Sequence, residues 1–172
     1  MNSNNESLKY FIGKICTIFT MPINRNFKEE NPNTFIEQPY HYFLGVIEKI
    51  TLEKVNATVH IKLKSGYVMT SVITRGAVEN LGLKEGDEII VIFKSSSALL
   101  SMDEKINISA RNKLSGVIEA VHLGEVNAEV IVNVGGDLIA CIITKDSIEE
   151  LGIKIGDKAT VIIKSSDVMI GK

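Results

Sequence analysis

Two short segments concentrate hydrogen-bond donors. One is Ser109-Ala110-Arg111-Asn112 and the other is Lys164-Ser165-Ser166. Arg111 offers a rigid fork of N–H donors, and Lys164 a compact ammonium. Ser109, Ser165, Ser166 and Thr144 add hydroxyls, and the small side chain of Ala110 leaves its backbone N–H open to close approach. Donors of this kind hold a partner rich in acceptors and negative charge; they do not by themselves break bonds. No Ser-His-Asp, Cys-His or paired-carboxylate arrangement stands out, so the chain reads as a binding protein and not as an enzyme. His41, His60 and His122 are scattered, which gives no metal-ligand spacing. Each donor also has a plainer role open to it. Arg111 can be a solvated side chain, Lys164-Ser165-Ser166 an ordinary strand end, and Thr144 a helix cap.

The elements that would position these residues come from a duplication. Gly45-Val46-Ile47-Glu48 aligns with Gly116-Val117-Ile118-Glu119, and Val55-Asn56-Ala57 with Val126-Asn127-Ala128. After a one-residue gap near Lys64, Ile73-Thr74 meets Ile143-Thr144. Leu81-Gly82 then meets Leu151-Gly152, Gly86-Asp87 meets Gly156-Asp157, and Lys94-Ser95-Ser96 meets Lys164-Ser165-Ser166. Repetition of this kind must be recognised before any fold is assigned.

Within the second copy, Val126, Ala128, Val130, Val132 and Val134 alternate with other residues, the period of a half-buried strand. Gly116 to Val121, Leu138 to Thr144, Lys158 to Lys164 and Val168 to Ile170 read as further strands, with a turn at Gly135-Gly136-Asp137. Ser147 to Leu151 reads as a short helix capped by Thr144 or Asp146 and stopped by Gly152. The prediction is a mainly β chain. It holds two tandem small barrels of the oligonucleotide/oligosaccharide-binding type, each with one short helix. The boundaries expected are a β-rich N-terminal extension over 1–37, a first barrel over 38–104 and a second over 105–172.

Composition narrows the partners. Of the 172 residues 45% are hydrophobic, enough for a packed core, yet no apolar run is long enough for a spanning helix. The polar start, Met1 to Ser7, does not read as a signal peptide, so no membrane role and a cytoplasmic location are expected. Cys16 and Cys141 lie inside apolar runs and are expected to be buried free thiols. Nucleic-acid barrels present stacking aromatics and a basic groove. Here there are four Tyr, six Phe, no Trp and a net charge of −2, so no nucleic-acid partner is expected.

The segments Ser109-Ala110-Arg111-Asn112, Val126-Asn127-Ala128-Glu129-Val130 and Lys164-Ser165-Ser166 together resemble the Mop domain. This is the TOBE-type unit of molbindins and of the ligand-binding half of molybdate-responsive regulators. The likeness is strong over the second copy and weaker over residues 43 to 101, so the whole resembles a di-Mop protein with an added N-terminus. The resemblance implies a bound tetrahedral oxyanion, molybdate or tungstate, with no organic cofactor. Ser109, Ala110, Arg111, Lys164, Ser165 and Ser166 would hold it, and Thr144 is a candidate to complete the shell from a neighbouring domain. It further implies a homo-oligomer, a trimer of di-domains with sites between domains, serving molybdenum storage, buffering and homeostasis. The other role open is an anion-sensing regulator or adaptor acting through residues 1–37.

The first copy departs from the pattern. Where Ser109-Ala110-Arg111-Asn112 stands in the second, the first has Gln38-Pro39-Tyr40-His41. The arginine and serine are gone, and proline removes a backbone donor. Thr74, Lys94 and Ser95 remain. The first copy is therefore expected to lend residues to sites completed elsewhere, not to build one alone. No Gly-x-x-x-x-Gly-Lys-Ser/Thr loop is present. The extension is too short and too β-rich for a winged helix. Its segment from Tyr10 to Phe19 reads as a strand.

Overall fold

The two copies together form two curled five-stranded antiparallel sheets, with the strands that the alternation predicts. The protein is described here from a computed structural model over residues 40–172; the strand expected at Tyr10–Phe19, and Cys16, lie outside the described residues. The first copy supplies β1 (Tyr40–Leu52), β2 (Asn56–Leu63), β3 (Val68–Thr74), β4 (Glu88–Lys94) and β5 (Leu99–Ser101). The second supplies β6 (Asn112–Leu123), β7 (Asn127–Val134), β8 (Asp137–Thr144), β9 (Lys158–Ile163) and β10 (Met169–Gly171). Helix α1 (Arg75–Leu81) follows β3 and α2 (Lys145–Leu151) follows β8.

Thr74 and Thr144 cap these helices: their Oγ1 atoms accept from the N–H groups of Ala77 at 3.1 Å and Ser147 at 3.2 Å. Gly82 and Gly152 end them in the left-handed conformation. The one-residue gap between the copies falls in the β2–β3 turn. The β7–β8 turn uses two residues, Gly135 (φ 61) and Gly136 (φ 99), as tight hairpin turns require.

The long first strand of each copy must pair with two neighbours. It bends at a register shift, between Ile47 and Lys49 in β1 and between Ile118 and Ala120 in β6. An extra residue in one strand increases bend and twist, which lets a sheet curl.

The order of strands departs from two self-contained barrels. The sheets run β10-β4-β1-β2-β3 and β5-β9-β6-β7-β8. The closing strand of each copy has crossed to the other: Leu100 lies opposite Val161, and Ile170 opposite Val91. One-turn 3-10 helices, Ser95–Ser97 and Ser165–Asp167, carry the chain across. In each sheet the exchanged strand also approaches the far edge strand, β10 near β3 and β5 near β8, so both sheets are close to closing. A single core runs through both copies, with Ile47, Val59, Ile61, Val91 and Phe93 from one and Leu114, Ile118, Val130, Val132 and Val161 from the other. Cys141 is a buried free thiol in this core, as expected, and burial pushes it up to about 12.

Candidate functional site

β6 and β9 pair with Asn112 opposite Ile163. One step outward, Arg111 and Lys164 therefore leave the ends of neighbouring strands side by side. Both are exposed, and among the described residues neither is in an ion pair. Two cations at adjacent strand ends repel each other, and an anion between them would relieve that repulsion. Ser109 and Ser166 are exposed beside them, and Ala110 and Ser165 are half-buried. The two donor segments recognised in the sequence thus meet at one end of the second sheet.

Thr144 lies elsewhere along the chain's geometry, at the far end of β8 opposite Asn127. Its Oγ1 caps α2 and lies 2.7 Å from Ser147 Oγ. Thr74 does the same work for α1.

The corresponding end of the first sheet is built differently. Tyr40 lies opposite Lys94, where an arginine would complete the pattern. Ser95 is only 2% exposed, and its hydroxyl lies 3.3 Å from His41 Nε2. Lys94 remains exposed.

What sequence reasoning missed is how each copy holds the other. Asn112, fully buried, accepts from the Thr70 N–H through Oδ1 (2.7 Å) and donates from Nδ2 to the Thr70 carbonyl (2.9 Å). His41, its counterpart, places Nε2 3.1 Å from the Ala140 nitrogen and 3.0 Å from the Ala140 oxygen. The Tyr67 hydroxyl donates to the Ser115 carbonyl, and Ser71 Oγ donates to the Val168 carbonyl. Little in the sequence signals this: Asn112 and His41 share a column of the repeat, but Thr70 and Ser71 align with Ala140 and Cys141. Lys172 was not singled out either; its ammonium donates to the Gly82 carbonyl and to Asp87 Oδ2, both at 2.8 Å.

A duplicated small-barrel protein with exchanged closing strands and a donor-rich strand end is the class these features define. The TOBE domain matches twice, over residues 38–100 and 108–170, and the chain belongs to that family, with the tandem Mop arrangement. It is similar to the molybdenum transport protein ModE of Azotobacter vinelandii, 34% identical over 129 residues, which are 74% of this chain and 48% of that protein. It is 35% identical over 126 residues to the molybdenum-pterin-binding protein MopA of Rhodobacter capsulatus, which are 72% of this chain and again 48% of the relative. The chain thus spans about half the length of these two relatives. Molybdenum-pterin-binding protein 3 of Clostridium pasteurianum is 53% identical over 66 residues, 38% of this chain and 97% of that protein. Among solved structures, the cytoplasmic molybdate-binding protein ModG with molybdate bound superposes with a TM-score of 0.74 at 34% identity, covering 80% of this chain and 99% of that one.

Proposed function

We propose that this chain binds a tetrahedral oxyanion, molybdate or tungstate, and serves as its intracellular store or buffer without catalysis. The observation that carries the reading is the exposed Arg111–Lys164 pair, in no ion pair among the described residues and flanked by Ser109, Ser165 and Ser166. The likeness to molybdate-bound ModG supports the same ligand and a cytoplasmic location. Ala110 would offer its backbone N–H, and Thr144 of a neighbouring domain would complete the shell while still capping its helix. Thr74 and Lys94 are the residues the first copy can lend. Ser95 lends less, since it is buried against His41. The binding unit would be the pair of copies, 38–104 and 105–172, assembled into a homotrimer, with neither nucleic acid nor membrane as partner. Among the described residues no helix is long and apolar enough to cross a membrane.

Titration calorimetry with molybdate, tungstate and sulfate tests the reading. Binding of molybdate or tungstate is expected, and Arg111→Ala should weaken it roughly 10- to 100-fold, the value of a lost charge-assisted hydrogen bond. Heat from none of the three anions, on folded protein, would sink the proposal. Because the chain matches about half of ModE, a sensing or adaptor role through residues 1–37 is the second reading. Capture of a partner by the full chain but not by one lacking those residues, with anion affinity unchanged, would favour it.

A further inference from the structure

We infer that Asn112 is a positioning residue for the anion site, and that β3 of the first copy is the platform on which the second copy's site is set. This rests on the functional reading above and extends it to residues that touch no ligand. Residues 107–111 lie outside the ladder that begins at Asn112 and make no backbone hydrogen bond of their own among the described residues. Their placement is therefore set at the two ends, at Ile106, whose carbonyl accepts from Lys113 Nζ (3.3 Å), and where the ladder begins. There the Asn112 side chain, 0% exposed, grips both the N–H and the C=O of Thr70.

Thr70 sits on β3, the edge strand of the first sheet, with its backbone groups turned away from β2 and toward Asn112. The amide thus acts as one further peptide unit added to that edge, satisfying two buried backbone groups. Since consecutive Cα atoms are about 3.8 Å apart, holding Asn112 keeps the root of Arg111 within that distance of it. The adjacent residue of β3 holds the other half of the site. Ser71, also 0% exposed, donates to the carbonyl of Val168, just after the Ser165–Asp167 turn. Two consecutive residues of one copy therefore anchor both donor segments of the other.

The first copy supplies the contrast. His41 faces Ala140 of β8 in the same way, but with one ring nitrogen against both a donor and an acceptor. That nitrogen satisfies only one of them at a time, whereas an asparagine amide satisfies both. The two-handed grip occurs in the copy that holds the arginine; the one-handed grip occurs where Tyr40 replaces it.

Calorimetric titration of the full chain with sodium molybdate, beside thermal unfolding without anion, tests this. Asn112→Ala should weaken binding on the order of 10-fold or more by freeing Arg111 from its position. Tyr67→Phe is the comparison, because it deletes another bond between the copies, to Ser115 on the same strand β6. It should lower the unfolding temperature yet leave the dissociation constant unchanged. Asn112→His, which restores one of the two bonds, should fall between Asn112→Ala and the unmodified chain, and it carries the test if Asn112→Ala does not fold. An unchanged constant in a folded Asn112 variant, or an equal loss in Tyr67→Phe, would overturn the positioning role. No binding by the unmodified chain would instead overturn the functional reading, and this inference with it.

Discussion

Arg111 and His41 show how single residues divide the labour between two copies of one unit. Arg111 is exposed and leaves its charge available, whereas His41 is buried and spends its ring on Ala140. Burial lowers the tendency of His41 to take a proton, partly offset by its bond to the Ala140 backbone. The folded chain therefore binds that proton less readily than the unfolded chain does. The stability contributed is complete above the ordinary histidine range and is lost as pH falls through that range and below it. Between about pH 7 and pH 5 the thermal unfolding temperature should drop, and His41→Asn should drop less over the same interval. Parallel pH profiles of the two proteins would show that His41 is not the group responsible. Asn is the informative replacement because Asn112 already fills the matched position and satisfies both backbone groups.

At the scale of elements, β1 and β6 are the strands that each sheet is built around, and their glycines are placed by crowding. A Cβ on Gly116 would lie 2.2 Å from the Asn133 carbonyl oxygen and 2.8 Å from Val132 Cγ1. The matched Gly45 would meet the Ile61 Cγ2 methyl at 2.5 Å and the Lys62 oxygen only at 3.1 Å. Backbone cannot yield without breaking the β6–β7 pairing, while a methyl can shift with its side chain. Gly116→Ala should therefore cost at least the roughly 1–3 kcal/mol of an overpacked core, and more than Gly45→Ala. Urea unfolding of the two variants checks the order; equal or reversed costs would contradict it.

At the scale of the whole molecule, the exchange of β5 and β10 makes the two copies one folding unit. The last residues of the chain complete the first sheet, through Ile170 opposite Val91. Lys172 then ties that end to Gly82 and Asp87. Burial raises the Asp87 carboxyl, and Lys172 and Lys84 together outweigh it, leaving the group below its ordinary value. Removing residues 169–172 should therefore damage the first sheet, far away in sequence, as well as the second. A lowering of the unfolding temperature by roughly 4 °C or more is expected, with both sheets lost in a single transition. Amide exchange should show faster exchange in β4 of the truncated chain, and protection equal to that of the full chain would argue against the shared fold.

Much of this protein was determined by sequence alone. Alternation at Val126–Val134, the Gly135-Gly136 turn and the Thr144 and Gly152 caps are local: their signals act within a few residues, so strands, turn and helix were legible. The duplication and the Ser109–Arg111 and Lys164–Ser166 segments were legible as well, because residue types and order suffice to recognise them. Tertiary structure decided what depends on distant pairing. Nothing in Leu99–Ser101 or Met169–Gly171 says which sheet each will join, since a short apolar strand fits either of two nearly identical edges. The turns at Ser95–Ser97 and Ser165–Asp167 carry the chain across, and the exchanged strands close over a core that both copies share. Nor could a buried asparagine announce its partner. Asn112 meets Thr70 only because the exchange of strands brings the edge of one copy against the opening residue of the other.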